Sequence, residues 1–160
     1  MNRTLIVVDM QNDFVTGSLP VPHAKEIIGG IIEKCIEYSI AMDSVLFTSC
    51  YHPFNHISFN GYGGTWPAHC VAGTHGAQLV EVLKWTRKAI NAPLFLKGQA
   101  VTQEQYSAYT PQVKDYLLGE RPELIEVCGL ARNYCVQETY VDLKANGYTV
   151  EVLEGLCRSV

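Results

Sequence analysis

Five short apolar runs rich in β-branched residues, separated by longer stretches of helical pattern, constrain this chain more than any other feature. The runs are "TLIVVD" at 4–9, "SVLFTS" at 44–49, "APLFLK" at 92–97, "LIEVCG" at 124–129 and "YTVEVLE" at 148–154. Each is bounded by turn formers or charges and reads as a strand. Helical patterns occupy 24–42, 76–88, 111–119 and 133–147, the last stopping at Gly147. A strand followed by a helix, repeated, gives a mainly parallel sheet with helices on its faces, the α/β class. With 160 residues and no internal repeat, linker or low-complexity stretch, one domain over 1–160 is expected.

Parallel open sheets collect ligands at the carboxyl ends of their strands. That rule selects Asp9 after the first run, Cys50 and His52 after the second, Lys97 after the third and "GLARNYC" after the fourth. Cys135 falls in the first turn of the helical pattern near 133, where unpaired backbone N–H groups and the helix dipole favour a thiolate. Lys97 would hold positive charge beside the sulfur, and Asp9 would carry a proton between thiol and leaving group. Singly, each residue has a commoner structural role: a buried thiol, a turn cap, a solvated lysine. Their placement at separate strand ends of one sheet is what suggests a shared site.

The loop "CYHPFNH" followed by "TWPAHC" supplies Cys50, His52, His56 and His69, a donor set suited to a borderline metal such as zinc. Pro53 pushes His52 towards extended geometry, so these are loop ligands rather than a helical pair. The same histidines equally suit hydrogen bonding, with the cysteines as buried thiols. Phe14, Trp66, Tyr106 and Tyr109 also fall between the apolar runs, where a flat ring can stack or a side chain can cover the core.

A net charge of −4 disfavours nucleic acid and anionic membranes as partners, leaving a small molecule as the default. The first apolar run is interrupted at Asp9, too short for a signal peptide or a span, so a cytoplasmic location is expected. The six cysteines are scattered, and no disulfides are expected.

The segments "LIVVDMQNDFVTGSLPVP", "HPFNHISF", "GTWPAHCVAGTHGAQL", "LKG" with "YSAY", "CGLARNYCVQET" and "LEGLCRS" resemble the nicotinamidases of the isochorismatase-like cysteine hydrolases, in the family's order. The resemblance implies a three-layer sandwich around a Rossmann-like, mainly parallel sheet, and hydrolysis of nicotinamide to nicotinate and ammonia in pyridine nucleotide salvage. It places Asp9, Lys97 and Cys135 on the family's catalytic triad. The oxyanion hole falls on the backbone N–H groups of Ala131 and Cys135, with a cis Leu130–Ala131 peptide. Phe14, Trp66 and Tyr106 would hold the substrate ring. The metal ligands fall on Cys50, His52, His56 and His69.

Two departures accompany the resemblance. Cys50 occupies a position where metal-dependent members carry an aspartate, which favours zinc over harder ions or weakens metal binding. Related chains continue past the "CRSV" segment with another helix and strand, so this chain is expected to be C-terminally shortened, with run 148–154 an uncovered edge that invites a homo-oligomer. Two alternatives stay open: a related amidohydrolase acting on another small amide without a catalytic metal, and a non-catalytic interaction protein with a structural zinc site.

Overall fold

A computed structural model describes residues 1–160. Its strands are β1 (Arg3–Val8), β2 (Ser44–Cys50), β3 (Leu94–Lys97), β4 (Leu124–Leu130) and β5 (Val150–Arg158). They form one sheet in the order β3-β2-β1-β4-β5, every neighbouring pair parallel. The strands lie where the apolar runs placed them. β1 is central, and Leu5, Ile6, Val7 and Val8 are fully buried, because a parallel strand covered on both faces has no solvent side.

The helices are α1 (Asn12–Val15), α2 (Ile28–Ile40), α3 (Glu81–Ala89), α4 (Pro111–Glu120) and α5 (Gln137–Ala145). Side-chain alternation along β3 shows the layers. Leu94 and Leu96 line a groove with Lys84 and Arg87 of α3. Phe95, between them, meets Tyr116 of α4 edge-on at 5.6 Å. Helices α3 and α4 therefore cover opposite faces of the sheet, and α2 packs beside α3.

Local chemistry sets several boundaries. Thr110 caps α4 by accepting a hydrogen bond from the Val113 N–H, and Pro111 opens the helix where a missing N–H costs nothing. The segment expected to be helical over 24–42 begins as a tight 3₁₀ turn, Ala24–Ile27, and becomes α-helical only from Ile28. The stretch expected as one helix over 133–147 opens with a wide π-type turn at Arg132–Val136, so Cys135 sits in that turn ahead of α5. Strand β5 runs past residue 154 because its pairing with β4 shifts register: Val127 faces Val152, while Gly129 faces Cys157. A bulge absorbs the extra residues and lets "GLCR" rejoin the sheet.

Candidate active site

The carboxyl ends of β1, β2 and β3, with the turn after β4, converge on one buried amine. Lys97 Nζ lies 2.8 Å from Asp9 Oδ2 and donates to Cys50 Sγ at 3.1 Å and Cys135 Sγ at 3.4 Å. Asp9 and Lys97 are almost wholly inaccessible to solvent. Asp9 also accepts from Thr48 Oγ1 at 3.0 Å and from Cys50 Sγ at 3.4 Å. The backbone sets this up. Asp9 directly follows β1 with φ 51, a left-handed conformation uncommon for a non-glycine residue, which turns the chain away from the sheet.

Register explains why Cys50 joins the group. Cys50 and Lys97 are direct partners in the parallel pairing of β2 and β3, and paired residues project from the same face. Gln11, fully buried, holds this end of the sheet together. It accepts from the Cys50 N–H at 2.9 Å and donates to the carbonyls of Cys50 at 2.7 Å and Ala77 at 2.8 Å.

Burial and mutual contact determine the charges. Asp9 is pushed up to about 6 by burial and by Cys50, against the pull of Lys97. Burial alone would lower Lys97, but Asp9 and the two sulfurs outweigh it and hold it well above the ordinary lysine range. The two thiols titrate as a unit. The hydrogen bond from Cys135 holds Cys50 well below the ordinary thiol range, and the same bond with burial pushes Cys135 well above it.

The histidines gather next to this cluster. His52 stacks on His56 with centroids 4.2 Å apart and meets His69 edge-on at 5.1 Å. His52 Nδ1 bonds the Gly98 carbonyl at 2.7 Å, and His69 Nδ1 bonds the Pro67 carbonyl at 2.8 Å, which leaves each ring its Nε2 to present to a ligand. His56 is committed at both nitrogens, to Ser58 Oγ at 2.7 Å and the Gln103 carbonyl at 2.8 Å. The donor set thus divides. His52 and His69 each spend Nδ1 on a backbone carbonyl, His56 spends both nitrogens on Ser58 and Gln103, and the Cys50 sulfur is engaged by Lys97 and Asp9. The donor atoms of Asp9, Cys50 and Cys135 lie within 4.8 Å of one another, close enough to hold a metal ion, with the Lys97 ammonium already among them.

A small cavity opens onto both groups, enclosing about 30 Å³ and lined by Phe14, Trp66, Tyr106 and Ala131 as well as Cys135 and His69. Trp66 Nε1 donates to Tyr106 Oη at 3.0 Å, and Phe14 tilts against His69 at 5.4 Å. Tyr134, which directly precedes Cys135 and carries no sequence signal beyond that adjacency, completes the aromatic wall, 5.1 Å from Trp66 and 5.4 Å from Tyr106. Tyr109 lies elsewhere, against Tyr148. The Leu130–Ala131 peptide is cis. A larger groove of about 200 Å³ by α3 contains neither thiol nor imidazole of the cluster.

The sequence profile of the isochorismatase domain matches residues 3–160. The chain belongs to the isochorismatase family. Among relatives of this isochorismatase-family chain is the nicotinamidase/pyrazinamidase of Mycobacterium tuberculosis, 34% identical over 169 residues, covering 99% of this chain and 87% of the relative. The pyrazinamidase of Pyrococcus horikoshii in complex with zinc superimposes with a TM-score of 0.89 at 33% identity, covering 100% of this chain and 88% of that one. PnC1 from L. infantum in complex with nicotinate gives 0.90 at 31% identity, covering 99% and 81%.

Proposed function

We propose that this chain is a cysteine amidohydrolase that converts nicotinamide to nicotinate and ammonia through a thioester on Cys135. The observation that carries the reading is the contact of one buried ammonium, Lys97, with both the Asp9 carboxylate and the Cys135 sulfur. Membership of the isochorismatase family and the nicotinamidases among its relatives support the substrate and weigh against the two alternatives raised from the sequence. The whole chain, 1–160, acts as one domain in this reading.

Asp9 takes the Cys135 proton, and the sulfur attacks the carboxamide carbon. The backbone N–H groups of Ala131 and Cys135 stabilise the oxyanion. Asp9 then returns the proton to nitrogen, releasing ammonia, and water hydrolyses the thioester. Phe14, Trp66 and Tyr106 flank the ring.

A divalent metal, zinc by its donor types, belongs to the same proposal, held by His52, His69 and His56 while Cys50 stays with the triad. Bound there, it supplies a Lewis acid that orients the pyridine nitrogen. Zinc content separates the donors: His69→Ala is expected to lose zinc, whereas Cys50→Ala retains it, and zinc loss from Cys50→Ala would restore the sulfur to the ligand set. An ammonia-release assay on nicotinamide tests the main reading. Cys135→Ala should be inactive and folded; retained turnover would refute the nucleophile.

No helix is long and apolar enough to cross a membrane. A cytoplasmic location, a part in pyridine nucleotide salvage and a homo-oligomer complete the proposal. The last is supported by β5 lying at the sheet's edge. A monomer at all concentrations in sedimentation equilibrium would rule the oligomer out.

A further inference from the structure

The second cysteine of the cluster has no part in the hydrolysis just described. Cys50 Sγ and Cys135 Sγ lie within 4.8 Å of each other, at two strand ends, and both take a hydrogen bond from Lys97 Nζ. Both cysteines also line the small cavity that opens onto the cluster. The remaining four cysteines, Cys35, Cys70, Cys128 and Cys157, are buried and line no part of that cavity.

The geometry points to an oxidative modification site: a hydroperoxide converts Cys50 and Cys135 to an intramolecular disulfide that blocks the nucleophile reversibly. The chemistry needs only the peroxide. Cys135 gives up its proton to Asp9 as in the hydrolysis, its sulfur attacks the O–O bond, an S–O bond forms, and hydroxide leaves, so sulfur is oxidised to sulfenic acid and peroxide oxygen is reduced. Cys50 then attacks that sulfur; an S–S bond forms, the S–O bond breaks, and hydroxide leaves to take up a proton. Two thiols and one hydrogen peroxide give one disulfide and two waters. Lys97, bonded to both sulfurs, keeps them side by side at one amine.

The consequence is protection. A lone cysteine nucleophile oxidised to sulfenic acid has no partner to capture it, and further peroxide carries it to the irreversible sulfinic acid. Here a captor stands beside it. Strand closure sets the approach, since Cys50 is fixed at the end of β2 by its pairing with Lys97 and by Gln11 on its backbone.

The test exposes purified protein to a modest excess of hydrogen peroxide, then counts free thiols and maps peptides without reduction. Six free thiols should fall to four, with one linkage joining the peptides of Cys50 and Cys135. Ammonia release from nicotinamide should drop about tenfold or more and return with dithiothreitol. In Cys50→Ser the same treatment should leave Cys135 as sulfinic acid, with activity lost beyond rescue relative to that variant's own untreated level. Sulfinic acid at Cys135 in the unsubstituted protein, a linkage to Cys70 instead, or six thiols surviving would each overturn the proposal. Peptide mapping reports the linkage whether or not nicotinamide is the substrate, so failure of the substrate assignment stays distinguishable from failure of this one.

Discussion

At the scale of single residues, Asp9 carries the sharpest consequence. It is enclosed completely, and its value near 6 arises because burial and the neighbouring Cys50 sulfur together outweigh Lys97. In the proposed mechanism Asp9 must be ionised to accept the thiol proton, so kcat/KM should rise as pH climbs through about 6 and flatten above it. A profile of ammonia release against pH checks this, and a rate unchanged from pH 5 to pH 7 would remove Asp9 from the base role. Asp9, Lys97 and Cys135 were visible in the sequence because each closes a strand or follows one, and strand ends converge in a parallel sheet. The contact of Cys50 with Lys97 was not visible. Chain proximity groups Cys50 with the histidines, whereas the Cys50–Lys97 register emerges only once β2 and β3 are aligned.

At the scale of elements, the junction after β3 joins the catalytic and histidine groups through one glycine. Gly98 has φ +69, and a Cβ placed on it would lie 2.5 Å from His52 Cε1, while its carbonyl holds His52 Nδ1 at 2.7 Å. Backbone conformation and close approach both demand glycine there. Gly98→Ala is therefore expected to cost about 1–3 kcal/mol of stability in urea unfolding, the usual range for such strain, and to weaken the proposed zinc binding by turning the His52 ring. Unchanged zinc affinity with His52 displaced would remove that ring from the ligand set. The glycine was legible only as a residue after a strand. What makes it necessary is an imidazole 46 positions earlier in the chain, a contact that no local pattern records. The π-type turn before α5 escaped for a similar reason: helical periodicity predicts burial on one face but does not distinguish the wider turn that carries Cys135 from an ordinary first turn.

At the scale of the whole molecule, the site is a burden on the fold that hosts it. The sheet closes over a carboxylate, an ammonium and two thiols, and the carboxylate is where that burden can be measured. Asp9 moves from an ordinary 3.8 in the unfolded chain to about 6 in the folded one, so the folded state binds its proton more tightly. The sign follows directly: this group's contribution to stability is fully present below about pH 4 and is lost as pH rises through about 6. One pKa unit corresponds to about 1.4 kcal/mol, so the ionised site should weaken the fold by on the order of 3 kcal/mol at neutral pH. Surface carboxylates oppose this trend, since Glu26, bonded to His23, and Glu154, bonded to Arg132, are held lower in the folded state. The informative quantity is therefore the difference between the unsubstituted protein and Asp9→Asn, in which the surface groups cancel. Urea unfolding from pH 4 to pH 7 should show Asp9→Asn gaining stability relative to the unsubstituted protein as pH rises, while its ammonia release is abolished. Parallel stability curves for the two proteins would mean that Lys97 fully compensates the buried charge, and that the fold surrenders nothing to hold its base.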